Sequence, residues 1–299
     1  MSLFCRHNRL TANCPICSRE LQADLKSKAP PSPARTRTSS GTSGSASKRG
    51  SRTGSGLVTR RVARAADDGY RSALAPGLRA TADAERLAGA LVQAAKRLEP
   101  PGPYPAIGEQ DDLEQATWLA FLLALAGPDA PQLQEALVAA PPAWDYGVPD
   151  DLPDERRRSA EAYRAWAQRS GSQEAAFSGE PAWTPERRFA RVFERLSLPG
   201  FGRAPRFDLL TALGAAGLYD LRAGELHLIE DDATTLAAKR LLVSGDRLLL
   251  ERRARELAEA CRLPVAALDR GLAVWNTPGA AVDLAAEPPA AVRAALSLR

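Results

Sequence analysis

Four side chains near the start of the sequence have the types and spacing that suit a metal ion. Cys5 and His7 are separated by one residue, and Cys14 and Cys17 form a Cys-Pro-Ile-Cys turn. These two pairs complete a tetrahedral zinc shell with no position left for a reactive water. Because so short a segment has no core, metal binding would supply its folding free energy. The pattern predicts a structural Zn²⁺ knuckle over residues 1–22. The alternative is incidental thiols in a reducing compartment.

Two adjacent carboxylates, Asp231 and Asp232, stand at the predicted start of a helix. A carboxylate there could orient water, stabilise a cationic sugar, or accept a proton from an attacking amine. The alternative is that both acids are ordinary partners of the positive end of the helix dipole. We treat both as candidate catalytic residues.

A third candidate region is the turn LPGFG at residues 198–202, between two predicted helices. Its glycines permit a tight turn that presents backbone amides at the start of the next helix, where they could bind a DNA phosphate. Residues 185–206 also carry six arginines against two glutamates, which predicts a basic face. The alternative is a plain joint between helices with solvated arginines. The predicted DNA-binding residues here are Leu198, Gly200, Phe201, Gly202, Arg203, Arg206, Arg187 and Arg188.

The elements that must position these residues are helices. Apolar residues recur at helical spacing in long Ala/Leu/Arg-rich stretches, and alternating strand patterns are nearly absent. Thr184, Pro185 and Glu186 form a clear helix start. The sequence therefore predicts an all-α body over residues 59–299, with helices over residues 111–126 and 154–169, from residue 185, and over about 206–216, 231–243, 246–262 and 264–275.

Residues 23–58 form a Ser/Gly/Pro-rich linker that we predict to be disordered, because it lacks the apolar side chains needed to offset the entropy of ordering. Residues 25–66 carry ten Lys/Arg and no acid, so the overall charge of +4 leaves the chain from Asp67 onward at −7. A basic arm on an acidic body typically supplies salt-sensitive attraction to DNA phosphates. The alternative is a solvated spacer.

Several function classes are disfavoured. The longest uncharged apolar run, residues 115–127, is too short to span a bilayer, so no membrane partner is predicted. The sequence shows no secretory signal, which favours the cytoplasm and argues against disulfides. Cys261 lies on a predicted apolar helix face and is assigned to the core. We expect a monomer.

The order of LPGFG followed by the acids of IEDDATTLAAKRLL resembles the helix-hairpin-helix DNA glycosylases, whose pattern is LPGVG, then VDTHV and RLG. In that pattern the nine-residue step to Arg240 favours Asp231 as the acid, with Asp232 as its rival and a DNA-binding role for Arg240. Two features differ. The lysine position of lyase-type members is occupied by Ala204, which excludes a Schiff base there, and the stretch from hairpin to acid is longer.

A more specific resemblance rests on FCRHNR with CPIC, EQATWLAFLLALAG, AWTPERRFARVFERLSLPGFGRAPRFDLL, DDATTLAAKRLL and LLLERRARELAEAC. Together they resemble the alpha-glutamyl/putrescinyl thymine pyrophosphorylase clade 3 family. The resemblance implies a two-lobed, glycosylase-derived fold and displacement of pyrophosphate from the 5-methylene group of a flipped thymine in DNA by an amine or amino-acid co-substrate. Tyr219 could stack on that base, and Trp118 could line its pocket. Alternatives are a monofunctional DNA glycosylase and a non-catalytic zinc-containing DNA-binding protein.

Overall fold

Helices dominate the computed structural model, which describes residues 65–149 and 152–299. Within these ranges there is no β-strand, only an isolated bridge between Leu198 and Phe201. The all-α prediction is therefore confirmed for the described part of the chain. The predicted knuckle and linker, residues 1–22 and 23–58, lie outside the described residues.

Eleven α-helices occur in the described residues. In chain order they are α1 Thr81–Leu98, α2 Leu113–Ala126, α3 Pro131–Ala139, α4 Asp154–Arg169, α5 Gln173–Ser178, α6 Pro185–Arg195, α7 Arg203–Ala215, α8 Ala233–Leu242, α9 Arg247–Cys261, α10 Val265–Asn276 and α11 Ala290–Ala295. Two 3₁₀ turns, Pro105–Ile107 and Trp144–Tyr146, precede α2 and α4 respectively.

Helices α2 to α7 surround one hydrophobic core, which we call the central lobe. Helix α2 is apolar on all sides and buried from Ala116 to Ala126, as expected of a helix enclosed by others. Aromatic rings pack along it: Phe121 stacks on Tyr163 at 3.9 Å between ring centroids and lies 4.9 Å from Phe201 of the LPGFG turn. The turn is thereby anchored to the centre of this lobe.

A second core, which we call the terminal lobe, combines α1 with α8 to α11. Helix α1 packs mainly on α10, and the two approach most closely at Gly271. A Cβ atom at this position would lie 2.7 Å from Leu91 Cδ2 and 3.1 Å from Leu91 Cα, so only glycine fits without displacing α1. Two separate cores confirm the predicted two-lobed architecture.

Side-chain caps fix the starts of several helices. Thr184 Oγ1 accepts a hydrogen bond from Arg187 N at 3.2 Å, as the sequence predicted for α6. Asp112, Asp232 and Asp246 cap α2, α8 and α9 in the same way. Such caps satisfy amides that have no partner within the helix, and each typically stabilises a protein by about 1 kcal/mol.

No described helix is both long and apolar enough to cross a membrane.

Candidate functional site

A cleft of about 540 Å³ opens between the two lobes. The terminal lobe contributes one wall from α1 and α10, and the central lobe contributes the end of α2 and the first half of α7. The start of α8 closes one end. This volume is typical of pockets for small molecules or single groups of a larger substrate.

Arg203, the first residue of α7, lies beside this cleft with its side chain completely buried. Its Nε donates to Asp232 Oδ2 at 2.5 Å, its Nη2 donates to Asp269 Oδ1, and its Nη1 donates to the Leu226 carbonyl at 2.7 Å. A buried guanidinium needs such partners, because an unpaired buried charge costs several kcal/mol. Arg203 thus fixes two carboxylates of the terminal lobe at the edge of the central lobe.

Asp232 lines the cleft, whereas Asp231 does not. The Asp232 side chain is 18% exposed, and its Oδ1 accepts the Thr235 amide at 2.8 Å as the cap of α8. The Asp231 side chain is 73% exposed and pairs with Lys239 Nζ at 2.5 Å, at a small surface pocket on another side of α8. Of the two sequence candidates, only Asp232 reaches the space where a substrate group fits.

Asp269, in the middle of α10, is a second carboxylate of the cleft. Burial raises its pKa to about 6, and the neighbouring Asp232 and Asp208 carboxylates also raise it, while Arg203 and Thr234 act in the opposite direction. Sequence reasoning missed this residue. The available signal was a lone acid within the apolar run VAALDRGLAV.

The LPGFG turn is built as a tight connection. Leu198 and Phe201 form a bridge, and Phe201 is buried in the central lobe. Gly200 has φ of +71°, and a Cβ there would lie 2.6 Å from Ser159 Oγ. Gly202 precedes α7, and a Cβ there would lie 2.9 Å from Glu230 Oε2. Gly200 is therefore required by its positive φ, whereas a side chain at Gly202 would have to displace only the carboxylate end of Glu230.

The amide at the start of α7 already has an acidic partner. Glu230 Oε2 accepts the Arg203 N–H at 3.0 Å, and Glu230 Oε1 accepts Arg206 Nη2 at 2.6 Å. The Arg206 guanidinium also lies 4.7 Å from the centroid of the Phe193 ring. The negative charge of Glu230 thus occupies the position where the sequence placed a DNA phosphate.

Comparison with known protein families identifies one of them. Residues 153–278 match the model of "Alpha-glutamyl/putrescinyl thymine pyrophosphorylase clade 3". Over this range the chain is similar to members of that family. Searches of curated proteins and of solved structures gave no significant match.

The part of the chain that matches the clade 3 family model contains the LPGFG turn and the Arg203, Asp232 and Asp269 group. The remaining cleft wall, formed by α1 and the end of α2, lies outside the matched range. Ala204 lines the cleft, and no lysine of the described residues does so. The cleft therefore presents carboxylates to a substrate and has no amine for a Schiff base.

The other predicted DNA-binding arginines have different surroundings. Arg187 is exposed, with its guanidinium 5.9 Å from the Trp183 ring. Arg188 is buried and donates to the Ser178 and Asp220 carbonyls and to the Asp220 carboxylate. Arg240 bonds to Asp83 Oδ2 at 3.3 Å and lies 4.3 Å from the Trp275 ring. Together with Arg203 and Arg206, the side chains of Arg188 and Arg240 serve packing rather than an open basic face.

The two aromatic residues expected at a flipped base are also part of the core. Trp118 is completely buried, and Tyr219 is 7% exposed with its hydroxyl 2.8 Å from Thr117 Oγ1. Neither residue lines the cleft. Their rings therefore stabilise the central lobe, and any base contact in the cleft comes from other side chains.

The predicted zinc ligands Cys5, His7, Cys14 and Cys17 lie outside the described residues. Within residues 65–149 and 152–299 there is no group of three or more His, Cys, Asp or Glu side chains that could hold a metal ion. Cys261 is a buried free thiol of the terminal lobe, as predicted, and burial raises its pKa to about 11.

Proposed function

We propose that the interlobe cleft binds a modified thymine flipped out of DNA and catalyses displacement of the pyrophosphate on its 5-methylene group by an amine. The observation that carries this proposal is the pair of cleft carboxylates, Asp232 and Asp269, held by the buried Arg203 guanidinium. The family name supplies the substrate class. Flipping is required because the reacting carbon is hard to reach within a stacked duplex.

In the proposed reaction the amine nitrogen forms a bond to the 5-methylene carbon as the carbon–oxygen bond to pyrophosphate breaks. The pyrophosphate leaves with the electron pair, and the amine loses one proton. Asp269 is the proposed acceptor of that proton. Its pKa of about 6 means that the carboxylate is ionised at neutral pH. A general base is most effective when its pKa lies near the pH of the reaction, and a pKa of about 6 is near neutrality. Asp232 is the proposed stabiliser of the positive charge that develops on the nitrogen.

The geometry changes the preferred acid from Asp231 to Asp232. Asp232 lines the cleft and is held by Arg203 and the Thr235 amide, whereas Asp231 pairs with Lys239 on the surface. An oriented carboxylate in a cleft is a better electrostatic catalyst than an exposed one, because water screens its charge less.

DNA is the proposed macromolecular partner, and its backbone is expected to contact the LPGFG turn and exposed arginines such as Arg187. The basic segment over residues 23–58 would add salt-sensitive attraction to phosphates. The amine or amino-acid co-substrate would enter the cleft beside the two carboxylates. The zinc knuckle is proposed as a structural module.

The test is a single-turnover assay on an oligonucleotide that carries thymine with pyrophosphate on its 5-methylene group, with putrescine or glutamate as the amine. We expect released pyrophosphate and a heavier, amine-bearing base by mass spectrometry. Asp232→Asn and Asp269→Asn should each reduce the rate by about 10² to 10⁴. The matched control, Asp231→Asn, should remain within about twofold of wild type.

The product separates the proposal from its two alternatives. An abasic site with free base would identify a monofunctional glycosylase, for which the same Asp232 carboxylate would stabilise the cationic sugar. Binding without conversion of modified DNA would identify a non-catalytic DNA-binding protein. Loss of activity in Asp231→Asn but not in Asp232→Asn would refute the assignment of the acid.

A further inference from the structure

One wall of the interlobe cleft carries two arginines from different parts of the chain. Arg97 is in the last turn of α1, and Arg270 is in α10, next to the contact between Gly271 and Leu91. Arg97 is six residues beyond Leu91, about 9 Å along the helix axis. Both arginines line the cleft.

These two guanidiniums have no carboxylate partner among the described residues, although four acids line the same cleft. Three of those acids have partners of their own. Arg203 binds Asp232 and Asp269, and Asp208 accepts a hydrogen bond from the Tyr104 hydroxyl. The Arg97 guanidinium lies over a ring face, 5.6 Å from the Tyr104 centroid. The positive charges of this wall are therefore available to a ligand.

A neutral donor lies in the same cleft. Thr211, on α7 opposite this wall, lines the cleft, and its Oγ1 is buried without a hydrogen-bond partner in the structure. Buried hydroxyls are nearly always hydrogen-bonded, so the unpartnered hydroxyl of this cleft residue is free to donate to a ligand. Phosphate oxygens are strong acceptors, and arginine forks match their geometry.

We propose that Arg97 and Arg270 form a pyrophosphate subsite in the interlobe cleft, with Thr211 as an additional donor. This inference rests on the proposed function and deepens it, because it places the leaving group at the α1–α10 wall and the attacking amine near Asp232 and Asp269. The cleft then has a cationic part for the departing diphosphate and an acidic part for the nucleophile. Charge developing on the leaving oxygen is stabilised by the two guanidiniums.

The competing ligand chemistry is a free polyamine. Asp129 is the fourth acid of the cleft and has no hydrogen-bond or ion-pair partner among the described residues, so a cation could bind to the acidic side chains alone. The presence of two unpaired guanidiniums favours the anion, because a polyamine bound beside them would meet like charge. The two ligands are opposite in sign and give opposite results in one experiment.

The experiment is isothermal titration of the full-length protein with inorganic pyrophosphate in the absence of DNA. We expect binding to wild type, weakened at least about 10-fold by Arg97→Gln and by Arg270→Gln, since a hydrogen bond to a charged group contributes about 1.5 to 3 kcal/mol. Orthophosphate should bind more weakly than pyrophosphate. The matched control is Arg252→Gln, which removes an exposed arginine that pairs with Glu256 on α9.

Arg97→Lys and Arg270→Lys provide a second pair of variants that keep the charge and remove only the planar fork. They should bind pyrophosphate with intermediate affinity. Unfolding curves of all variants show that the fold is intact. Equal pyrophosphate affinity in the glutamine variants and in Arg252→Gln overturns the proposal. So does binding of putrescine in place of pyrophosphate.

The outcome is separable from that of the proposed function. If pyrophosphate binds through Arg97 and Arg270 but modified DNA is not converted, the subsite stands and the proposed reaction fails. If modified DNA is converted and the two glutamine variants neither bind pyrophosphate less tightly nor react more slowly, the reaction stands and the subsite is refuted.

Discussion

Arg203 of the central lobe is hydrogen-bonded to Asp269 of the terminal lobe, 66 residues later in the chain, and the guanidinium is completely buried. The same group binds Asp232. A single side chain therefore orients both proposed reacting carboxylates and joins the two lobes beside the cleft.

We expect Arg203→Met to lower the free energy of unfolding by about 3 to 5 kcal/mol, because it leaves two partly buried carboxylates without their counter-ion. Urea denaturation measures this loss. The control is Arg191→Met, whose partner Glu194 is on the surface and whose loss should cost at most about 1 kcal/mol. Equal losses in the two variants would contradict a central role for Arg203.

A second prediction concerns Glu230, whose carboxylate accepts a hydrogen bond from the Arg203 backbone amide at the start of α7. Glu230→Gln should increase affinity for duplex DNA about 3- to 5-fold, because removing one unit charge close to a phosphate is worth about 1 kcal/mol in water. Fluorescence anisotropy at fixed salt measures the change. Glu225→Gln, which breaks a surface pair with Arg255, is the control. An affinity no different from that of Glu225→Gln would show that DNA does not approach this turn.

His227 predicts a specific pH dependence of stability. Burial lowers its pKa to about 4, and the charges of Arg203, Arg247 and Arg206 act in the same direction. The ring lies 4.4 Å from Phe193. Since the unfolded imidazole binds a proton near pH 6.5, the unfolded state holds more protons between about pH 6.5 and 4, and the native state loses stability as pH falls through that window.

The matching variant is His227→Asn, because His227 has φ of +53° and asparagine tolerates this left-handed conformation. Relative to this variant, wild type should lose up to about 3 kcal/mol of unfolding free energy between pH 6.5 and 4, at about 1.4 kcal/mol per pKa unit. Chemical denaturation across this range tests it. If the difference in unfolding free energy between wild type and His227→Asn does not change with pH, the imidazole is not held neutral in the folded protein.

The zinc prediction remains open to direct measurement. Purified full-length protein should contain one zinc per chain, because Cys5, His7, Cys14 and Cys17 complete a closed tetrahedral shell. Cys17→Ser should remove most of it, and Cys261→Ala should not, since Cys261 is buried in the terminal lobe. Elemental analysis decides the question. Absence of zinc in wild type purified without chelator would disprove the knuckle.

Local signals predicted local structure well. The helix over residues 154–169 has the predicted bounds, and Thr184 caps α6 as expected, because periodicity and capping depend on neighbouring residues. The partners of Arg203 were not predictable in this way. Asp269 is distant in sequence, and its contact with Arg203 depends on the packing of two lobes.

The choice between Asp231 and Asp232 shows a second limit. Both acids stand at the start of α8, and Asp232 is its capping residue. If the helix began one residue earlier, Asp231 would be the cap instead, and the starts of helices are defined only to within about one or two residues. No property of the two residues themselves distinguishes them. Only the position of α8 beside Arg203 determines which carboxylate lines the cleft.

The terminal lobe is assembled from both ends of the described chain, with α1 packed on α10 and the whole central lobe inserted between them. During synthesis α1 therefore leaves the ribosome about 170 residues before its partner. At 5 to 20 residues per second this interval is roughly 10 to 30 s. The central lobe can fold within it, while the apolar face of α1 stays uncovered and open to chaperones. The cleft, which is lined by residues of both lobes, forms only after α10 has been synthesised.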